Sequence, residues 1–185
     1  MKRERFVNGI DVIRLHDTID QIRDYPEIGK FEFRATNQWV DGTHCRGTVQ
    51  HFYGAIHEDT DRPPQTYDMD EPPVLLGRNQ GRNPVEYLLV ALSGCLTTTL
   101  VAYASAQGIA LKSIQSWYEG ELDLRGFLGI SDEVSPGYQR IRVGFRIDAD
   151  IPDDRKEELI RLAQRHSPVY NTISRSSPVV VHLEI

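Results

Sequence analysis

Cysteine thiols are the side chains of this sequence best suited to nucleophilic and redox chemistry, and its 185 residues include two of them, Cys45 and Cys95. Cys95 lies within residues 87–111, a stretch that carries no charged side chain. Its apolar neighbours Leu92 and Leu96 disfavour the thiolate, which is the nucleophilic form. A reactive Cys95 therefore needs a cation from another segment. Without one it is a small packed thiol, as free cysteines often are.

A long helix is predicted to position Cys95. Asn83 can cap its start, Pro84 suits the first helical position, Glu86 suits the third, and Gly108 suits the exit. At ~1.5 Å per residue, Cys95 lies roughly 16 Å from the helix start. The effect of the helix dipole fades within one turn, so the dipole does not stabilise a thiolate there.

Strands are predicted on both sides of this helix along the chain. Residues 31–40 alternate apolar and polar side chains and precede Asp41-Gly42, a pair typical of hairpin turns. Alternation also predicts two antiparallel strands after the helix, a further helix from Pro152, and a final strand over 179–185. We expect one α+β domain in which antiparallel sheets wrap a long buried central helix. Its segments are an N-terminal helical extension (1–30), a β-hairpin and loop (31–82), the central helix (83–108) and a β-β-α-β half (109–185).

Composition excludes several classes of function. The chain has 21 basic and 27 acidic residues, a net charge of −6, which argues against a nucleic-acid partner. Two cysteines make no disulfide framework and the N-terminus shows no signal pattern, so we expect a cytoplasmic protein with reduced thiols. The serine, threonine and glycine content of 87–111 favours a core helix over a membrane span. The histidines lack metal-binding spacing, so we expect no metal and no other cofactor.

The segment NPVEYLLVALSGC, residues 83–95, resembles the reactive-cysteine helix of the osmotically inducible protein and organic hydroperoxide resistance (OsmC/Ohr) family. The sequences DEPPVLLG at 70–77 and HSPV at 166–169 extend the resemblance over most of the chain, apart from the first thirty or so residues. The resemblance implies the OsmC-like fold and an intertwined homodimer with two thiol sites at its interface.

The family resemblance also implies roles for individual residues. Cys95 matches the peroxidatic cysteine, which attacks a hydroperoxide. The second cysteine of the family, which closes a disulfide, is Ser167 here, so this chain resembles a subgroup with serine at that position. A serine hydroxyl cannot form the disulfide, and the two-cysteine cycle does not transfer. Cys45 is an alternative resolving partner or a packed strand cysteine, and a small-molecule thiol is the expected external reductant.

An arginine that holds the thiolate and a glutamate that orients it complete the implied site. Arg46, on the strand after the predicted hairpin, is our choice for the arginine. Three other arginines are alternatives: Arg34, Arg78 and Arg82. Glu86 is our choice for the acid, although Val85 occupies the family's position and helical geometry places Glu86 opposite Cys95. The alternative role for Glu86 is to cap the helix with Asn83.

Two functions are therefore compatible with the sequence. The first is a one-cysteine peroxidase that uses Cys95 to reduce organic hydroperoxides, with alkyl or lipid hydroperoxides preferred because the surroundings are apolar. The second is a non-catalytic dimer that binds a small apolar or acidic ligand and has lost the redox cycle. Replacing Cys95 with serine separates these two hypotheses.

Overall fold

The computed structural model describes residues 5–175 and 177–184. The chain divides into two compact units. One comprises residues up to Val12 together with Leu89 onward, and the other comprises Ile13–Leu88. The fold is α+β with antiparallel sheets and a central helix, as the sequence predicts.

A short hairpin, which the sequence analysis does not predict, opens the described chain. Strand β1 (Phe6–Val7) pairs with β2 (Ile10–Asp11) across Asn8-Gly9, whose φ angles are 51° and 79°. Positive φ at both loop residues is the signature of the type I′ turn that Asn-Gly favours. The predicted N-terminal helix follows directly as α1 (Val12–Asp24).

The sheet of the second unit is built on one long hairpin. Strand β3 (Phe31–Asp41) pairs with β4 (His44–Gly54), so the turn lies at residues 42–43, one position later than predicted. The other edge of β4 pairs with β5 (His57–Asp59) and with β6 (Gln65–Met69). Strand β5 is not predicted from the sequence.

The central helix α2 (Pro84–Ala106) confirms the predicted helix within two residues at its C-terminal end. Its Leu92, Leu96, Leu100 and Ala104 form a buried core with side chains of a later helix. By length and composition α2 could also cross a membrane. That is weak evidence, because the core helix of a soluble protein meets the same criteria.

The remaining elements belong to the same unit as the core of α2. Strands β7 (Leu111–Leu122) and β8 (Tyr138–Ala149) form an antiparallel pair, with the one-turn helix α3 (Leu124–Phe127) between them. Their inward side chains, including Tyr118 and Phe145, pack against the core cluster. Helix α4 (Asp153–His166) adds Leu159 and Ala163 to that core, and α5 (Pro168–Ser174) follows.

The C-terminal segment differs from the prediction. Over residues 177–184 the structure has no strand, and Val179, Val181 and Leu183 are more than four-fifths exposed; Ile185 lies outside the described residues. Alternating apolar residues favour an extended strand, but a strand needs a neighbour to accept and donate its backbone hydrogen bonds. Among the described residues, the β7–β8 sheet consists of two strands, and neither pairs with residues 177–184.

Candidate functional site

Cys95 is a free and partly buried thiol on α2. Its neighbours Leu92 and Leu96 are each only 2% exposed, and they anchor this part of the helix in the core. Thr99 donates a hydrogen bond from its hydroxyl to the Cys95 carbonyl oxygen at 2.7 Å. The helix therefore fixes the backbone of Cys95, while the thiol is available for contact with side chains of other elements.

Ser167 supplies the side chain that contacts this thiol. Its hydroxyl oxygen lies 3.1 Å from Cys95 Sγ, within hydrogen-bonding distance of a sulfur acceptor, and the residue is fully buried. The structure thus brings together the two positions that the family resemblance pairs, although 72 residues separate them in sequence.

The backbone around Ser167 is fixed on both sides. Its N–H donates to the Ala163 carbonyl at 2.8 Å and ends α4, while its carbonyl accepts the Asn171 N–H at 3.0 Å in α5. Helix α4 ends at His166 and the chain leaves the helical conformation at Ser167, because a residue before proline is disfavoured in the helical region, and Pro168 then begins α5.

In the other unit, Arg46 lies in a cluster of charged side chains. Strand pairing places Asp68 of β6 directly opposite Arg46 of β4, and His44 lies two residues away on the same face. Arg46 Nε donates to Asp68 Oδ1 at 2.9 Å, and His44 Nε2 lies 2.8 Å from the same oxygen. The Arg46 guanidinium, followed by His44, lowers the pKa of Asp68 below its ordinary value. Asp68 is therefore the carboxylate that orients Arg46.

Two of the three alternative arginines also pair with acids. Arg34 donates to Glu58 at 2.6 Å and to Glu32 at 2.8 Å, and these carboxylates raise its pKa. Arg78 pairs with Asp41 at the β3–β4 turn. The third, Arg82, lines a polar cavity of about 350 Å³.

Glu86 takes the capping role that the sequence analysis gives as its alternative. Its Oε2 accepts the Asn83 N–H at 2.9 Å, and Asn83 Oδ1 accepts the Val85 N–H at 3.0 Å. This reciprocal pair is a capping box that satisfies backbone donors at the start of α2. The described partner of Glu86 is thus a backbone group, and the catalytic role proposed for it remains a prediction.

Asp70 organises the loop that precedes α2. The residue is only 2% exposed, and its carboxylate accepts hydrogen bonds from the Thr43 hydroxyl at 2.6 Å and from the N–H groups of Glu71, Arg78 and Gln80 at 2.8–3.1 Å. The Thr43 hydroxyl and then the Gln80 N–H lower the pKa of Asp70 far below its ordinary value. This carboxylate closes the loop over residues 70–80.

Cys45 is a free thiol on β4, in register with Trp39 on one side and Met69 on the other. Strand alternation turns it away from the face that carries His44 and Arg46. This setting is that of a packed strand cysteine.

Among the described residues, no group of three or more histidine, cysteine, aspartate or glutamate side chains is placed to hold a metal ion.

The model of the OsmC-like protein family matches residues 77–182, which include α2, Cys95 and Ser167. The chain belongs to this family. No curated protein matches the chain. The OsmC-like assignment confirms the resemblance carried by residues 83–95 and by the HSPV motif at 166–169.

Solved structures share the OsmC-like fold at low sequence identity. An OsmC-like protein from Mycoplasma pneumoniae has a TM-score of 0.60 and 16% identity, over 78% of this chain and 89% of that one. An organic hydroperoxide resistance protein OsmC from Legionella pneumophila has a TM-score of 0.50 and 17% identity, over 77% and 88%. An OsmC-like protein of unknown function from Vibrio cholerae has a TM-score of 0.51 and 14% identity, over 76% and 92%. These similarities establish the fold.

Three residues are missing from the sequence predictions of the site: His44 and Asp68, which contact each other beside Arg46, and Asp70, which organises the loop before α2. Asp68 becomes the partner of Arg46 only through the register of β4 and β6, which the sequence pattern leaves open. Asp70 lies in the DEPPVLLG motif that the sequence analysis uses for the family resemblance. Aspartate before a proline-rich loop is a signal for side-chain-to-backbone hydrogen bonds and could have identified it.

Proposed function

We propose that this OsmC-like protein is a one-cysteine peroxidase that reduces organic hydroperoxides with the thiolate of Cys95. The observation that supports this most directly is the hydrogen bond from the buried Ser167 hydroxyl to Cys95 Sγ, at the position where the family resemblance implies a second cysteine. The description of the Legionella pneumophila relative as an organic hydroperoxide resistance protein points to the same substrate class.

The first chemical step forms a sulfenic acid. The Cys95 thiolate attacks the terminal oxygen of R–O–O–H, an S–O bond forms and the O–O bond breaks, so that sulfur is oxidised and the hydroperoxide is reduced. The leaving alkoxide takes a proton and departs as the alcohol ROH, and Cys95 is left as Cys–S–OH.

The second half of the cycle uses a small-molecule thiol, R′SH. The thiol attacks the Cys95 sulfenic acid, water leaves, and a mixed disulfide forms. A second R′SH then releases reduced Cys95 and the disulfide R′S–SR′. Ser167 has no sulfur atom, so it can neither form a disulfide with the Cys95 sulfenic acid nor release Cys95 from a mixed disulfide. The external thiol is therefore the reductant in this proposal.

The proposal gives Arg46 the role of the cation that favours the thiolate and the departing oxygen. Asp68 fixes the orientation of this guanidinium by the hydrogen bond at 2.9 Å. A homodimer, in which the thiol sites lie between two copies, is part of the proposal. Exposed aromatic side chains on β3 support it, because Phe31 and Phe33 stack on each other and are 51% and 71% exposed in the single chain, and exposed apolar patches mark interfaces.

The second candidate is a non-catalytic dimer that binds a small apolar or acidic ligand. The substitution observed at Ser167 favours it, since a chain without the second cysteine has lost the intramolecular disulfide. The two candidates differ in what happens to Cys95 when a hydroperoxide is added.

The test is mass-spectrometric trapping of sulfenic acid. Reduced protein receives equal amounts of an alkyl hydroperoxide or of hydrogen peroxide in parallel, and a dimedone-type reagent labels Cys–S–OH. We expect rapid labelling at Cys95, faster with the alkyl hydroperoxide, and steady consumption of hydroperoxide once a small thiol is supplied.

Cys95→Ser should abolish both labelling and consumption. Cys45→Ser is the matched control, since it removes the other free thiol and should leave both unchanged. Slow or absent labelling of Cys95 with both oxidants would contradict the peroxidase and support the binding protein.

A further inference from the structure

The hydroxyl of Ser167 has a fixed place and a fixed set of partners. Ser167 both ends α4 and caps α5, and backbone hydrogen bonds to Ala163 and Asn171 hold it from the two sides. The residue is fully buried, so bulk water does not compete for its hydroxyl. Its side chain therefore has one well-defined arrangement of donor and acceptor.

That arrangement directs the hydroxyl proton at the sulfur. Ser167 Oγ accepts the backbone N–H of Tyr170 at 3.3 Å, as a helix-capping serine does. A hydroxyl has a single proton to donate, and the acceptor in contact with it is Cys95 Sγ at 3.1 Å. A thiolate can only accept, so the Ser167 proton forms a charge-assisted hydrogen bond to the ionised form of Cys95.

We propose that Ser167 is the hydrogen-bond donor that stabilises the Cys95 thiolate and fixes the direction of its Sγ atom. This inference rests on the proposed function, in which that thiolate is the nucleophile. Within the unit that contains Cys95, the donor compensates for two unfavourable conditions: the helix dipole does not reach Cys95, and its neighbours Leu92 and Leu96 are buried apolar side chains.

Titratable side chains packed around the core of α2 include three tyrosine phenols and one imidazole. Tyr103, Tyr118 and Tyr170 pack against the core cluster, and the His166 ring stacks on Tyr103 with centroids 5.0 Å apart. These groups are identical in every variant used below, so any effect of their charge cancels in the comparison.

The experiment measures the alkylation of Cys95 by iodoacetamide as a function of pH, in a Cys45→Ser background so that one thiol is read. In Ser167→Ala we expect the midpoint of the rate profile to move up by about one pH unit, with alkylation at neutral pH falling about tenfold. Ser167→Gly also removes the hydroxyl, but glycine is better tolerated than alanine at the N-cap position of α5. Ser167→Thr keeps a hydroxyl and should restore the midpoint.

The matched control is Ser105→Ala. Ser105 is also fully buried and lies on α2, but its hydroxyl donates to the Val101 carbonyl at 2.7 Å. This variant should lose stability without moving the Cys95 midpoint. Circular dichroism establishes which variants are folded.

The inference is overturned if folded Ser167→Ala or Ser167→Gly keeps the parental midpoint, or if Ser105→Ala moves it equally. Alkylation needs no hydroperoxide, so this readout is independent of peroxidase activity. A shifted midpoint without sulfenic acid formation would support the hydrogen bond and refute the proposed function. Sulfenic acid formation with an unmoved midpoint would support the proposed function and refute the role of the Ser167 hydrogen bond.

Discussion

Replacing Ser167 by cysteine tests the geometry at Cys95 most directly. The hydroxyl oxygen and Cys95 Sγ are 3.1 Å apart. A cysteine sulfur lies farther from Cβ than a serine oxygen does, so it narrows this gap toward the ~2.05 Å of a disulfide bond. We therefore expect the introduced thiol of Ser167→Cys to form a disulfide with Cys95, with little movement of α2 or α5.

The expected stabilisation follows from the size of the closed loop. The two positions are 72 residues apart, and cross-linking a loop of this length removes about 4 kcal/mol of denatured-state entropy. Cysteine is a poorer helix cap than serine, which costs about 1 kcal/mol at the start of α5. The oxidised variant should thus gain about 3 kcal/mol over the parent, whereas the reduced variant should lose about 1 kcal/mol.

Urea denaturation without and with reductant measures the free energy of unfolding of the oxidised and reduced variant, and so tests whether the difference from the parent changes sign. With a slope of about 2 kcal/mol per molar urea, the midpoint of the oxidised variant should exceed that of the parent by about 1.5 M. Thiol counting after treatment with oxidised glutathione should find Cys45 as the remaining free thiol. An alkyl hydroperoxide should give the same disulfide with release of ROH and water if Cys95 is peroxidatic.

Ser93→Cys is the matched control for disulfide formation. It adds a third thiol two residues from Cys95 on the same helix, where side chains do not face each other. This variant should keep all three thiols. If Ser167→Cys also keeps three thiols under oxidised glutathione, residue 167 does not lie against Cys95 Sγ, and the Ser167 hydroxyl cannot be the donor to the Cys95 thiolate.

Two further predictions concern stability. The Asn8 side chain donates to the Ile109 carbonyl at 2.9 Å and accepts the Leu111 N–H at 2.8 Å, so Asn8→Ala should cost about 2–3 kcal/mol in urea unfolding. Asn8→Gly should cost less, because the φ of 51° at this position penalises alanine and not glycine, and equal losses would contradict this account. The pKa of Asp70 is lowered in the folded state, so the unfolded chain binds the proton first and stability falls as the pH drops below about 4. Asp70→Asn should flatten this part of the acid denaturation curve, and an unchanged curve would refute the role of the carboxylate.

Local signals made much of the fold predictable. The central helix could be predicted because its N-terminal cap is formed by residues that are close in sequence. Asn83 and Glu86 make the capping box that their spacing implies. The β3–β4 hairpin followed from alternation and from Asp41-Gly42. The β1–β2 hairpin was equally local, and Asn8-Gly9 is the dipeptide that should have revealed it.

Features that depend on distant pairing could not be predicted. Alternation in residues 179–185 shows only that one face is apolar, and it carries no information about which strand edge is available. The carboxylate partner of Arg46 depends on the register of β4 against β6, where a shift by one residue would turn Asp68 to the other face. Asp68 was therefore identified as a site residue only from the structure, whereas Cys95 and Ser167 were identified from motifs in the sequence.

Under the proposed function, the oxygen-for-sulfur exchange at position 167 changes two steps of the cycle in opposite directions. A second cysteine would resolve the sulfenic acid within the chain, whereas Ser167 leaves that step to an external thiol. The same hydroxyl, buried and already accepting the Tyr170 N–H, can only direct its proton toward Cys95 Sγ. The exchange thus favours formation of the nucleophile and slows its recovery. Turnover of such a site should depend on the concentration of the small thiol, while the first oxidation of Cys95 should not.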